Sequence, residues 1–255
     1  MTSLRAARAS LLLAAALCAP AGAEDSPSPQ RDGEAAPRPL AERLLSPDLV
    51  ERGAAQEEIR TLSPEVQEVL VPALVAGAGD ADASVRGAAA EAVAEIGPRA
   101  AGAVDAMIRG ASPDSDVRGV SVLALARIGP AAARAVPVLV EARGEDIRDV
   151  WVCMHARYAL VAVGPAPPEA LPALVDLLAH PEWPVRAEAA RAIGAMGLQG
   201  APAAVALARA TSDDADGVRA AAAEALGKIG AADDAAVAAL ARLLEDAVLR
   251  VRIAA

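Results

Sequence analysis

Aromatic side chains are nearly missing from this chain, which has no phenylalanine, one tyrosine and two tryptophans in 255 residues. A core without large rings must be packed from aliphatic groups, and alanine, valine, leucine and isoleucine fill the sequence accordingly. Cysteine and histidine are equally scarce at two each, which excludes a disulfide framework and the clustered Cys/His sets of structural zinc sites. Lysine occurs once, at Lys228, and the formal net charge is −10. A nucleic-acid groove wants the opposite sign, so that partner class is excluded; acidity favours solubility and a basic partner. There is no glycine-rich phosphate loop and no Gly-x-Ser-x-Gly elbow, and no serine is paired by pattern with a histidine.

The first residues read as a leader. Arg5 and Arg8 precede the apolar run Leu11 to Leu17, and the small-residue site Ala21-Gly22-Ala23 follows, the arrangement of a secretory signal peptide over residues 1–23, cleaved near Ala23. The run is short of the roughly 20 residues that span a bilayer, and Cys18 lacks a full lipobox before it, so stable membrane insertion is not expected. Loss of Arg5 and Arg8 would take the net charge from −10 to −12. Residues 24–39 carry Pro27, Pro29, Pro37 and Pro39 without apolar periodicity, as a flexible tether does. The expected location of the mature protein is periplasmic or extracellular.

From residue 40 to 255 one pattern repeats about every 33 residues: Val85-Arg86 to Ile96-Gly97, Val117-Arg118 to Ile128-Gly129, Val152-Cys153 to Val163-Gly164, Val185-Arg186 to Met196-Gly197, and Val218-Arg219 to Ile229-Gly230. Val251-Arg252 opens another, and Arg52, Ala55, Ile59 and Leu62 form a weaker first copy. A period of this size is that of a stacked helical solenoid. Val218, Ala221, Ala222, Ala225, Leu226 and Ile229 lie on one face of a 3.6-residue helix. The glycine ending each copy suits a left-handed helix stop, and Pro98, Pro130 and Pro165 forbid continuation. The sequence thus predicts an all-α, right-handed α-solenoid of antiparallel helix pairs, about six of them, with the last repeat incomplete at Ala255.

These units resemble HEAT repeats, in particular the short HEAT-like repeats of phycobilin lyases, with the pattern Asp-x-x-Val-Arg-x-x-Ala-x-x-Ala-Leu-x-x-Ile-Gly. The resemblance covers nearly all of residues 40–255 and is specific for fold rather than activity. It implies one of several roles, since such repeats occur in lyase subunits, scaffolds and regulatory subunits. Some helical-repeat enzymes hold iron through His-Glu pairs; this chain has no such dipeptide, and neither metal nor cofactor is expected.

The repeated Arg86, Arg118, Arg186, Arg219 and Arg252 are read as structural, because a residue that recurs at the period of the fold serves the fold. Asp82, Asp114 and Glu182 stand one turn before three of them, placed to cap helices and cross-link neighbouring units.

Function should show where a unit breaks the pattern. Trp151, Cys153, His155, Tyr158, His180 and Trp183 hold every aromatic, both histidines and the only cysteine after the leader. The spacing into this unit is two residues longer than elsewhere, which enlarges the loop containing Asp146 and Arg148. Tyr158 occupies a column filled elsewhere by Glu91, Leu123, Arg191 and Glu224, mostly charged and hence solvent-facing. Trp151 and Trp183 stand at turn positions. Two readings of this cluster stay open: the rings pack on each other and staple the loop, or Trp151, Tyr158 and Trp183, with Asp146 and Arg148, form a binding patch. His155 falls on the inward register, and His180 at a helix end suits the dipole. Cys153 replaces the repeat arginine.

The expectation is an exported scaffold or adaptor that binds a protein partner and is not an enzyme. The resemblance also implies a lyase-like subunit handling a cofactor or chromophore around Trp151, Tyr158 and Cys153, against which export argues. A third possibility is a structural spacer within a larger envelope protein.

Overall fold

The computed structural model describes residues 38–113, 115–144, 149–231 and 234–255. The leader, the residues up to 37, Asp114, Asp146 and Arg148 lie outside the described residues. A short helix α1 (Leu40–Leu44) and α2 (Leu49–Thr61) open the fold. Helix pairs follow in order: α3 (Pro64–Gly77) with α4 (Ala83–Ile96), α5 (Val104–Gly110) with α6 (Arg118–Ile128), and α7 (Val136–Gly144) with α8 (Val150–Val163). Then come α9 (Leu171–Leu177) with α10 (Trp183–Ala195), α11 (Ala204–Ala210) with α12 (Asp216–Lys228), and α13 (Asp234–Leu243) with α14 (Leu249–Ala254). The result is the expected all-α repeat solenoid, without strands among the described residues.

The periodic face is the buried one. Val218, Ala222, Leu226 and Ile229 of the α12 unit are at most 1% exposed, as are Ala89, Ala92 and Val93 of α4. Alanine lets the helices approach closely, while Ile59, Leu125, Leu139, Ile193 and Leu207, all fully buried, each contribute about 1.5–3 kcal/mol. Gly97, Gly129, Gly164, Gly197 and Gly230 have φ between 57° and 77°, a left-handed conformation that costs a side chain about 1–2 kcal/mol. The next helix does not follow the glycine directly. A 3-10 segment intervenes at Gly97–Ala103, Gly129–Ala135 and Gly197–Ala203, because a positive-φ glycine resets the chain direction and small residues such as Ala100 and Ala103 must be buried in the turn.

The arginine column cross-links the units. Arg186 donates from Nη1 to the carbonyls of His180 and Pro181 at 2.9 and 2.8 Å, and grips Asp213 of the next unit through Nε and Nη2 at 2.7 and 2.8 Å. The Asp213 carbonyl accepts from Arg219, which in turn grips Asp246 at 2.7 and 3.0 Å; the Asp246 carbonyl accepts from Arg252. Arg86 repeats the scheme on the carbonyls of Asp80 and Ala81 and on Asp116, and Arg52 reaches the carbonyl of Ser46 in the weak first copy. Arg118 is half-buried at the start of α6. The cross-linking carboxylate is therefore not the acid one turn earlier: Asp82 accepts from the N–H of Ser84 as an N-cap. The arginine instead reaches forward into the following unit.

The helical run Arg118–Arg143 is long and apolar enough to cross a membrane. Its glycine turn at Gly129 and the burial of Leu125, Ile128 and Leu139 make it two core helices of the solenoid.

Candidate functional site

The second helices of the pairs form one column in which each covers the next: α4 lies on α6, α6 on α8, α10 on α12, and α12 on α14. The column is interrupted once. Helix α10 does not run along α8; it packs against α7, the first helix of the preceding pair.

The interruption has a cause in sequence. The second, fifth and ninth residues after the leading valine form the ridge that faces the following helix. They are Gly87, Ala90 and Ala94 in α4, Ala187, Ala190 and Gly194 in α10, and Ala220, Ala223 and Gly227 in α12. In α6 they are Gly119, Val122 and Ala126. Ala90, Val122, Ala190 and Ala223 are all at most 1% exposed. In α8 the same places hold Met154, Arg157 and Val161, side chains too large for a helix to approach as closely as it does over alanine and glycine. Met154 is 60% and Val161 80% exposed. With Val150, Trp151 and Tyr158 they make an exposed apolar stripe along α8.

The sequence-predicted residues fall around this stripe. Trp151 sits within the first turn of α8, held there by the Asp149 N-cap, which accepts from the Val152 N–H at 3.1 Å. Trp151 is 71% exposed, and its ring lies 6.0 Å from the His155 ring at 39°. His155 is half-buried with its Nδ1 enclosed and without a hydrogen-bond partner. Tyr158 is 56% exposed two turns along. Trp183 begins α10 and belongs to a different contact. A Cβ placed on Gly217 would meet its Cζ3 at 2.9 Å, so the indole lies over the turn of the following unit, where only glycine leaves room. Trp151 and Trp183 thus make separate contacts, one with His155 in its own helix and one with the following unit. Met154, Arg157 and Val161 escaped the sequence reading; their signal is large residues at register positions that other units keep small.

The arginine ladder is also broken here, on both sides of the junction. Cys153 stands where the donor belongs, and His180 where Asp80, Asp213 and Asp246 stand in other units. Cys153 is half-buried, its thiol donating to the Arg143 carbonyl at 3.3 Å and receiving the Arg143 guanidinium at 3.6 Å. The His180 Nδ1 accepts from the Glu182 N–H at 3.1 Å, the turn bond that Asp213 and Asp246 make to Ala215 and Val248. Histidine thus preserves the turn while giving up the inter-unit ion pair.

Beyond the stripe, a cleft of about 310 Å³ separates the end of α8 from α10. Leu160 and Gly164 line one wall, Arg191, Ala192 and Ala195 the other, and Val136 also borders it. Arg191 is held by Glu188 at 2.9 Å. Arg157, exposed in the middle of the stripe, makes no ion pair among the described residues. Among the described residues no three His, Cys, Asp or Glu side chains gather at metal-ligand distance. Among the described residues the arrangement is an exposed apolar surface with the Arg157 guanidinium in its middle.

Comparison with known proteins agrees with the architecture. A family profile described as HEAT repeats matches residues 71–160, 152–215 and 171–255. A search of curated proteins finds no significant match. Among solved structures, importin beta is 18% identical with a TM-score of 0.52, the alignment covering 84% of this chain and 34% of importin beta, so this chain spans about a third of that protein. An engineered protein is 26% identical over 75% of this chain and 95% of its own, with a TM-score of 0.44. The complex of CpcE and CpcF of phycocyanin lyase from Nostoc sp. PCC7120 is 24% identical over 91% of this chain and 97% of that one, with a TM-score of 0.38.

Proposed function

Because the chain belongs to the HEAT repeat family, whose solenoids commonly present surfaces to protein partners, we propose that it is a non-catalytic protein-binding scaffold that engages its partner along α8. The observation that carries this reading is the exposed apolar stripe, which includes Trp151, Met154, Tyr158 and Val161 on one helix of an otherwise well-covered column. Contiguous apolar side chains exposed on a soluble repeat mark an interaction surface rather than a fold requirement. Large amphipathic rings such as Trp and Tyr anchor such contacts at low entropic cost. Asp146 and Arg148, which shortly precede α8 in the sequence, are included in the proposed contact.

Export belongs to the same proposal. The arginines at positions 5 and 8, the apolar run and the Ala21-Gly22-Ala23 site support a secreted or periplasmic scaffold. A net charge of −10 favours a basic surface on the partner outside the apolar contact.

The test is capture from a native envelope extract with the full chain as bait, beside a bait carrying Trp151→Ala and Tyr158→Ala whose thermal unfolding matches. A partner retained by the first bait and lost from the second supports the scaffold and its site. Identical partners on both baits overturn the assignment of the site to α8. A third bait, Trp183→Ala, is expected to keep the partner, since that ring rests on the Gly217 turn of the following unit and not on α8.

A further inference from the structure

The gap in the helix column has the form of what it lacks. Every other second helix from α4 to α12 has a following helix packed along its forward ridge, whereas among the described residues none packs along that of α8, because α10 lies on α7. The uncovered side chains Val150, Met154, Tyr158 and Val161 recur at helical spacing. They span twelve residues, about 16 Å over eleven steps of 1.5 Å, a length that three turns of helix would cover. Arg157 lies within this stripe with no carboxylate in ion-pair reach among the described residues.

We infer that the forward face of α8 takes a single amphipathic α-helix of the partner protein, laid alongside α8 in the place the next second helix holds elsewhere in the stack, with a carboxylate of that helix on Arg157. This rests on the proposed scaffold function and names the form of its ligand. A helix is the occupant because this fold covers the same ridge with a helix in each neighbouring unit. Its own backbone hydrogen bonds are internal, so it brings no unpaired N–H or C=O against an apolar face, as an extended segment would. Met154 supplies a flexible, polarisable contact that accommodates varied apolar partners. The charge selects among helices. An acidic residue opposite Arg157 gains a partly desolvated, charge-assisted hydrogen bond, and a basic one is repelled.

The experiment is selection of a displayed library of 16-residue helix-forming peptides, with apolar residues fixed at helical spacing and the remaining positions randomised, against the full chain. Selected peptides are then measured by fluorescence anisotropy on the chain and on Val161→Glu, Met154→Glu and Arg157→Glu variants. All three positions are exposed, so unchanged helical circular dichroism and unfolding temperature are expected and are checked first. The proposal expects enrichment of Asp or Glu at one register position, and affinity loss of about ten-fold or more on Val161→Glu and Met154→Glu. For Arg157→Glu it expects a reversed preference, restored when the peptide's acid is exchanged for Lys. Peptides that bind all variants equally, or a selection that enriches no acidic position, overturn it. The capture experiment separates the two readings. A native partner lost on Trp151→Ala and Tyr158→Ala but untouched by Val161→Glu and Arg157→Glu leaves the scaffold standing and removes the helix; a partner untouched by every change removes both.

Discussion

Arg186 shows what one residue does in this fold, since its guanidinium closes its own turn through two carbonyls and ties the next unit through Asp213. Both side chains are mostly buried, at 17% and 13% exposure, which places the pair above the near-zero contribution of exposed ion pairs. Arg186→Ala is expected to cost about 1–2 kcal/mol by urea denaturation, and Arg86→Ala less, because its partner Asp116 is half exposed. Burial pushes the Asp213 carboxyl up, but the hydrogen bonds from Arg186 and the Ala215 N–H outweigh it and hold the group below its ordinary range; those from Arg219 and the Val248 N–H do the same for Asp246. A carboxylate with a depressed folded pKa stabilises above its unfolded value and loses that contribution as pH falls through the folded one. Stability should therefore be flat above about pH 5 and decline below about pH 4, and Asp213→Asn should flatten that acid limb in a pH series of urea midpoints. Glycine offers a second contrast. Gly97→Ala, at φ 65° with the Arg127 carbonyl 3.4 Å from the new Cβ, should cost about 1–2 kcal/mol. Gly53→Ala, inside α2 with nothing within 4 Å, should stabilise by about 0.5–1 kcal/mol.

At the scale of the element, α8 differs from its sister helices in being covered on one flank only. It packs on α6 and α7, and the following second helix, α10, packs along α7 instead of along it. Its backbone amides are expected to exchange with deuterium faster than those of α6 and α12, because low local packing lowers the free energy of opening. A bound partner should slow them selectively, and equal rates in the three helices would contradict the gap. Its thiol is a further probe. Cys153 is half-buried and bonded to the Arg143 carbonyl, so a thiol reagent should label it about ten-fold or more slowly in the native chain than in denaturant. That this helix is unusual was legible in the sequence, since the aromatic and histidine residues cluster there against a background of alanine. Its missing neighbour was not. Trp151 and Trp183 look equivalent as residues near the start of second helices, yet one points into open solvent and the other lies over Gly217, a difference set by how the fourth pair is seated on the third.

Across the whole molecule, stability is the sum of the units and of the interfaces between neighbours. Leu125 and Ile193 are both fully buried and lie on opposite sides of the interrupted column. Truncation of either to Ala should cost about 2–5 kcal/mol, but the effect should be felt unevenly. Ile193→Ala should accelerate hydrogen exchange in α10 and α12 more than in α4, and Leu125→Ala the reverse. Uniform acceleration by both would show that the packing of α10 on α7 couples the two halves as tightly as a regular interface.

The period of about 33 residues, the face each helix buries and the glycine stops were all determined by the sequence alone. Each of these is a local property repeated many times, so that periodicity averages out the ambiguity of any single copy. Which carboxylate each arginine takes, and where the column of helices opens, were decided only by the tertiary structure. Both depend on how one unit is placed against the next, and that placement turns on side-chain volume at a few ridge positions. Met154, Arg157 and Val161 hold α10 away from α8 because two helices cannot pack at alanine distance over side chains of that size. The apolar stripe left uncovered is a consequence of that spacing.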